Sequence, residues 1–525
     1  MKKVARFLLL LLAVAMMISC FAACGKKDDK KKKPTTNNNN TTAGVDMPDI
    51  VDLDDYTYRA YVRFKHSTGI TEDGNPQFAC EDFWVNPEEG EPEDALAFAV
   101  YHRNNQIEAD YNCNIRQIPQ TINMVQELAR YVQNGDTFDL TIILAKAAAN
   151  AATQNLLQEL SGLSGLNLQH EAIDQNARKE LSIGGKLYYV SGDMNISTLD
   201  SVAPTIVNLD RYEQYSDGIV DVFGGDMLYS NIYNVVRAGK WTIDTMLKIA
   251  EEASLDSDTT DGVLGLGNDP KGETIIDTDE VGYFQYYESA VYYFYGAGGR
   301  VTRMNEEGVP EFVIKEEQDL FDYIFDKLHP TKRTTQNYPC GNSVPRKNLF
   351  IKNAKVLFTD MTLWDVRTDL YKNATFKYGL LPNPVHEAGD KYNSVVYFFN
   401  TVHLWAIPNN VGDIEKAQLM FNVMAAYSNL RREGSTMDAY YTRTICFLAA
   451  TDPDAREMMN TIKGATVYDI ALLYDWGGWA TELSELWSKR NTNNHGTLSQ
   501  LLPTAQEELD ATIAKFKNPE ADIIP

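Results

Sequence analysis

Metal-ligating and cationic residues are scarce in this sequence. Seven histidines and six cysteines are spread over 525 residues, with no CxxC, no HExxH and no pair at zinc-ligand offsets, so a metal centre is not expected. No GxxxxGK[ST] loop, GxGxxG turn or GxSxG elbow occurs, which leaves nucleotide binding and serine hydrolysis without a motif. Lysine and arginine total 48 against 73 acids, a net charge of −25. Such a surface repels phosphate backbones and excludes nucleic acid as a natural partner. "LDSDTTDG" (255–262) begins like a calcium loop, but Leu266 and Gly267 stand where its last acidic ligand belongs. The many acids guarantee candidate carboxylate pairs for glycoside cleavage, and nothing singles one out. Past residue 17 no apolar run approaches the roughly 18 residues of a membrane span.

What is present begins with a leader. Lys2, Lys3 and Arg6 precede the apolar run Phe7–Met17, a signal-peptide core too short to span a bilayer. "FAAC" (Phe21–Cys24) then resembles a bacterial lipobox with Phe in place of the usual Leu; "MISC", ending at Cys20, is a poorer second match. Residues 1–23 are therefore expected to be removed, Cys24 to be lipid-modified, and the mature charge to fall near −28. Residues 24–54 are Lys-, Asn-, Thr- and Asp-rich, cannot bury enough surface to fold, and read as a tether with a coil dimension of roughly 30 Å. Cys80, Cys113, Cys340 and Cys446 are left as either disulfides or lone thiols.

From Tyr56 onward the periodicity alternates between strand and helix. "YTYRAYVRF" reads as a strand, and "EDALAFAVYHRNNQIEADYNCNIRQI" as a helix followed by a strand. "TINMVQELARYVQNG" places Ile122, Val125, Leu128, Ala129 and Val132 on one helical face, ended by Gly135. "FDLTIILA" is a continuously apolar strand of the doubly buried kind. "LSIGGKLYYVSGD" looks like a hairpin, and "SVAPTIVNLD" like another buried strand. "KWTIDTMLKIAEEA" is a helix capped by Thr242 with Ile243, Met246, Leu247 and Ala250 inward, and "DIEKAQLMFNVMAAYSNL" a helix with Ile414, Ala417, Phe421 and Met424 inward. The fold class is α/β with mostly parallel sheets, and the length calls for two lobes. No internal repeat is visible.

One stretch is unusually aromatic. "YFQYYESAVYYFY" (Tyr283–Tyr295) holds eight aromatic residues in thirteen and reads as a helix, for the most part core. Sugar rings stack their C–H faces on Tyr and Trp while their hydroxyls need carboxylate or amide partners, so rings interleaved with Gln285 and Glu288 also suit a glycan cleft.

In order, "ADYNCNIRQI", "VQNGDTFDLTII", "LSIGGKLYYV", "SVAPTIVNLDRYEQY", "YNVVRAGKWTIDTMLKIAEEA", "NAKVLFTDMTLWDV", "KYGLLPNPV", "TVHLWAIPNN" and "YDIALLYDWGGWA" follow one another from Tyr56 to the C-terminus. Together they resemble the extracellular solute-binding lipoproteins of ABC importers, in the family 1 carbohydrate-binding group. The resemblance implies a two-lobed, type II periplasmic-binding-protein-like fold, each lobe a mixed or parallel sheet flanked by helices. Residues 55–203 plus about 400–460 would form lobe 1, and 204–399 plus about 461–525 lobe 2, with crossings at Val202–Asn208 and Thr401–Ile407. It implies a monomeric, non-enzymatic receptor without cofactor, held at the cell surface, that takes a sugar or oligosaccharide to a membrane permease driven by a cytoplasmic ATPase. Carried over by position, the ligand contacts would be Trp364 with Asp360, Tyr287 with Glu288, Trp476 or Trp479, and Lys65 beside His66. After "FDLTII" this chain has "LAKAAANAA", where better-known sugar binders tend to place an aromatic and a charged pair; only Lys146 there reaches toward a polar ligand. That departure leaves the cargo open. A lipid-anchored carbohydrate-active enzyme and a receptor for a peptide or another polar solute remain the alternatives.

Overall fold

The computed structural model describes residues 45–62, 81–85, 90–120, 123–257, 266–268, 274–276, 279–285, 289–328, 337–339, 350–351, 354–397, 402–449, 452–482 and 495–517. All of them belong to a single compact unit. Cys24, Lys65, His66, Tyr287, Glu288 and the 258–265 loop lie outside the described residues.

Two principal sheets organise this unit. The first orders its strands His403–Ala406, Leu140–Leu144, Tyr56–Val62 and Cys113–Pro119. The last three are mutually parallel, with Ala60 opposite Leu140 and Tyr56 opposite Cys113, while His403–Ala406 runs antiparallel with Trp405 opposite Ile142. The second sheet orders Asn337–Pro339, Val281–Gln285, Val356–Asp360, Thr205–Asn208 and Tyr378–Leu381. Four strands share one direction and Thr205–Asn208 alone is reversed, antiparallel to both its neighbours. Each sheet thus receives one reversed strand, Thr205–Asn208 directly after the first crossing and His403–Ala406 after the return.

Local chemistry accounts for the elements. Val281–Gln285 and Val356–Asp360 are buried at every position, the doubly covered kind that reads as a continuous apolar run. Gly282 is required by a close approach: a Cβ there would meet the Ala250 carbonyl oxygen at 2.1 Å, so only glycine lets this strand lie on the helix Ile243–Glu252. That helix starts at Thr242, whose Oγ1 accepts the Thr245 N–H at 3.1 Å, and buries Ile243, Met246, Ile249 and Ala250. The helix Met124–Asn134 buries Val125 and Leu128 and ends at Gly135 in the left-handed region (φ 75°). Ala417, Phe421 and Met424 point inward from Ile414–Ser428, as the periodicity predicts.

The aromatic run is not one helix. It is the strand Val281–Gln285 and, past residue 288, the helix Ser289–Gly296. Doubly buried strand and buried helix carry the same continuous apolar signal, so periodicity alone did not separate them. Cys113 and Cys446 are free and buried, so neither contributes a disulfide; burial pushes the Cys113 thiol up to about 12. The C-terminal segments touch both halves: Pro453–Gly464 packs on Tyr378–Leu381 of the second sheet, and His495–Lys517 reaches the helix Ala145–Thr153 behind the first.

A buried polar cluster ties the two crossings together. Asp82 is fully buried; its Oδ2 accepts the Ile196 N–H at 2.8 Å on the segment leading into the outbound crossing, and its Oδ1 lies 3.5 Å from Nε2 of His403, the first residue of the returning strand. Asn195 donates to the His403 carbonyl, and the His403 N–H donates to Ser197 Oγ at 3.1 Å. Arg103, itself buried, donates to the Asp82 and Phe83 carbonyls and to Ser428 and Thr436, fixing residues 82–83 to the helix Ala95–Tyr111. Burial works against the Asp82 charge, but His403, the Ile196 amide and Arg103 outweigh it and hold the carboxyl below its ordinary value. The unfolded chain therefore takes up the proton first on acidification. The stabilisation is complete above the unfolded carboxyl value of about 4 and is lost as pH falls through the lower folded one. Asp82→Asn should lower stability at neutral pH by about 3 kcal/mol, with the gap to the parent closing toward strongly acidic pH; denaturant melts at pH 7 and below pH 3 measure both.

Candidate functional site

The C-terminal ends of the second sheet's strands gather polar groups in a buried setting. Asp360 ends its strand with no exposed surface; it accepts from Ser289 Oγ at 2.6 Å and from the Tyr283 hydroxyl at 3.2 Å. Beside it the Thr205 hydroxyl lies 3.3 Å from both the Tyr293 hydroxyl and Asn383 Oδ1. The sequence makes Asp360 a ligand partner; the structure has its carboxylate serving internal hydroxyls that pin the helix Ser289–Gly296 to the strand end. Tyr283, Phe284, Tyr293, Phe294 and Tyr295 are likewise fully buried. From Asp360 the chain turns through Thr362, whose Oγ1 accepts the Asp365 N–H, into the short helix Leu363–Asp365 and the wider turn Val366–Leu370. Trp364 on this turn is half-buried.

"YDWGGWA" does something other than the sequence suggests. Asp475 sits in the left-handed region (φ 54°) and binds three groups: Lys146 Nζ at 2.9 Å and Thr481 Oγ1 at 3.3 Å through Oδ2, and the Ala480 N–H at 2.8 Å through Oδ1. Lys146 is thereby paired within the fold. Trp476 stacks on Tyr474, centroids 4.9 Å apart and planes 10° off parallel, and donates from Nε1 to Thr512 Oγ1 at 3.1 Å. Gly477 (φ 66°) donates to Glu508, and a Cβ there would meet Ala505 at 2.8 Å. The segment is the seat of the C-terminal helix His495–Lys517, with Trp476 buried in the joint and Trp479 buried beside it in sequence. Of the tryptophans singled out from the sequence, only Trp364 keeps open surface. The two others look the same in sequence because their burial is set by tertiary contacts, for Trp476 with a helix that begins 19 residues downstream.

A polar cavity of about 310 Å³ lies beside the outbound crossing. Asp174, Ser191, Asp193, Asn195 and Thr198 line it from the first half, and Lys463 and Tyr468 from the segment that runs along the second. Asp174 is committed on both oxygens, capping Gln175–Glu180 and accepting from the Tyr468 hydroxyl at 2.7 Å. Burial raises the Asp193 pKa, opposed by Lys463 at 3.9 Å and by the Leu430 N–H. The arrangement supplies carboxylate, amide, hydroxyl and ammonium groups at short range, with no nucleophile–base pair, and suits hydrogen bonding to a small polar molecule. Sequence reasoning missed it; its one linear trace is the polar "SGDMNIST" just ahead of the crossing. No group of three or more metal-ligating side chains occurs among the described residues.

No protein-family model matches this chain, and no curated protein sequence does. Solved structures do match. The galacto-N-biose/lacto-N-biose I-binding protein of an ABC transporter from Bifidobacterium longum, in complex with lacto-N-biose, aligns with a TM-score of 0.51 at 12% identity, over 88% of this chain and 98% of that one. An ABC substrate-binding protein of Listeria monocytogenes in complex with cycloalternan aligns at 0.47 and 13% identity over 88% and 100%. The maltose-maltodextrin-binding protein of Alicyclobacillus acidocaldarius aligns at 0.45 and 13% over 86% and 100%. The first of these likenesses shows the fold: the two-lobed α/β fold of periplasmic-type binding proteins.

Trp479, with no exposed surface, should behave as a core residue. Trp479→Ala should cost roughly 3–5 kcal/mol, read as a fall in melting temperature, whereas Trp364→Ala, at a partly exposed position, should cost less.

Proposed function

We propose that this chain is the receptor of an ABC importer, capturing an extracellular sugar or oligosaccharide between its lobes and passing it unchanged to a membrane permease. The observation that carries the reading is architectural. Two sheets of one plan exchange a reversed strand, and the crossings meet at one buried cluster, as suits two bodies that hinge about a shared base. The fold likeness to a lacto-N-biose-binding protein supports a carbohydrate cargo. Trp364 is the platform, a half-buried indole on a capped turn at a strand end, where a sugar face can stack. Tyr287, Glu288 and Lys65 stay as candidate contacts from the sequence pattern.

The leader and "FAAC" support processing at Cys24, whose acyl chains would hold the protein at the outer face of the membrane on a flexible tether. Cys24→Ser should release the protein from the membrane fraction, while Cys20→Ser should not; membrane retention that survives Cys24→Ser overturns this anchor.

The cargo assignment is tested by thermal-shift screening of the protein against sugars, amino acids and peptides. A true ligand at 100 times its Kd stabilises by about 2.7 kcal/mol. Trp364→Ala should weaken the hit by about tenfold, ~1.4 kcal/mol. Stabilisation by a peptide or polyamine with none by any sugar would overturn the carbohydrate cargo, and turnover of a glycan would overturn the receptor reading.

A further inference from the structure

One guanidinium joins the two halves of the molecule. Arg367 stands one helical turn after Trp364, on the turn Val366–Leu370 whose Val366 and Leu370 are buried in the second half. Its Nε donates to Asp200 Oδ1 at 2.9 Å and its Nη2 to Asp200 Oδ2 at 2.7 Å, a forked geometry. Nη2 also reaches Glu81 Oε2 at 3.1 Å. Tyr440 closes the group: its hydroxyl donates to Asp200 Oδ1 at 2.8 Å, and its ring lies under the guanidinium, 5.8 Å from Cζ to centroid.

The partners come from the other half. Glu81 adjoins Asp82 and Phe83, which Arg103 fixes to the helix Ala95–Tyr111, and Phe83 packs edge-on against Trp405 of the first sheet. Asp200 ends the short helix Ser197–Asp200 that opens the outbound crossing. Tyr440 begins the wide helix Asp438–Ala449, which lies against Ala95–Tyr111 as well as Val366–Leu370. Asp200 and Arg367 have side-chain exposures of 6% and 11%, while Glu81 keeps 41%. The pair at the base is therefore desolvated and firm, and the Glu81 arm is wet and weak. Burial alone would lower the Arg367 pKa, but Asp200 overrides it and keeps the guanidinium charged.

We propose that Arg367 is an interlobe clasp: a positioning residue that sets the resting angle between the lobes and fixes the turn presenting Trp364. This rests on the reading above of the chain as a hinged receptor. The buried Asp200 fork and the Tyr440 ring act as the pivot, since Asp200 stands two residues ahead of the outbound crossing and the group need not separate when the lobes move. The Glu81 arm spans the two halves directly and is the contact that rotation makes or breaks. Ligand affinity then depends on groups that never touch cargo, because a looser resting state must be closed at the expense of binding energy.

The test reads lobe opening in the ligand-free full chain, so it does not require knowing the cargo. Small-angle X-ray scattering and hydrogen exchange are compared for the parent, Glu81→Gln, Arg367→Gln and Arg367→Lys. Glu81→Gln should keep the parent melting temperature and yet raise the radius of gyration. Arg367→Gln should raise it further and speed amide exchange across 197–202 by about tenfold. Arg367→Lys, which keeps the charge and loses the fork, should fall between the two. A lower melting temperature in Arg367→Gln with parent-like scattering in all three variants would reduce Arg367 to a structural residue and overturn the clasp. A cargo screen without any sugar hit would remove the carbohydrate reading and leave these readouts untouched.

Discussion

The molecule depends on a single buried carboxylate serving two passages of chain. Asp82 accepts from Ile196, on the approach to the outbound crossing, and faces the return at His403, and Arg103 fixes its backbone to the first half. Without it, the buried Ile196 N–H would lose its acceptor and the His403 imidazole its facing carboxylate, a cost of a few kcal/mol. With it, the reversed strands Thr205–Asn208 and His403–Ala406 are delivered in register to their sheets. The order of each sheet follows from that delivery. The adjacent Glu81 extends the same segment to Arg367, so residues 81–82 link crossing geometry to the position of the Trp364 turn.

Aromatic and charged residues that look functional in sequence are largely consumed by the fold. Trp476 seats the C-terminal helix, Trp479 is fully buried, Lys146 pairs with Asp475, and Asp360 serves Ser289 and Tyr283. The reason is physical: a large ring buries more apolar area than other side chains, and a carboxylate at a strand end is the cheapest way to satisfy neighbouring hydroxyls in a dry setting. Among the described residues, Trp364 keeps open surface, and the polar cavity beside the crossing pools residues from sequence positions nearly three hundred apart.

The element pattern from Tyr56 onward was legible because its signals are local. Thr242 and Asp413 cap helices where Ser, Thr and Asp do so in general, Gly135 takes the left-handed region, and the apolar runs at 140–144 and 356–360 are strands. The helix reading of 283–295 failed where two local states share one pattern. The likeness of the two sheets was invisible, since they share strand order and direction without sharing sequence. The role of Asp82, an acid in a stretch of no marked periodicity, was equally hidden.

The sequence by itself determined the alternation of strand and helix and the excess of acidic residues, because each is written in neighbouring residues or in bulk composition. Only the tertiary structure decided which aromatics are core, which acids are structural, and how Glu81, Asp200, Arg367 and Tyr440 meet. Those outcomes turn on contacts between residues hundreds of positions apart, such as Glu81 with Arg367, 286 positions away, and burial rather than residue type sets which tryptophans and aspartates keep open surface.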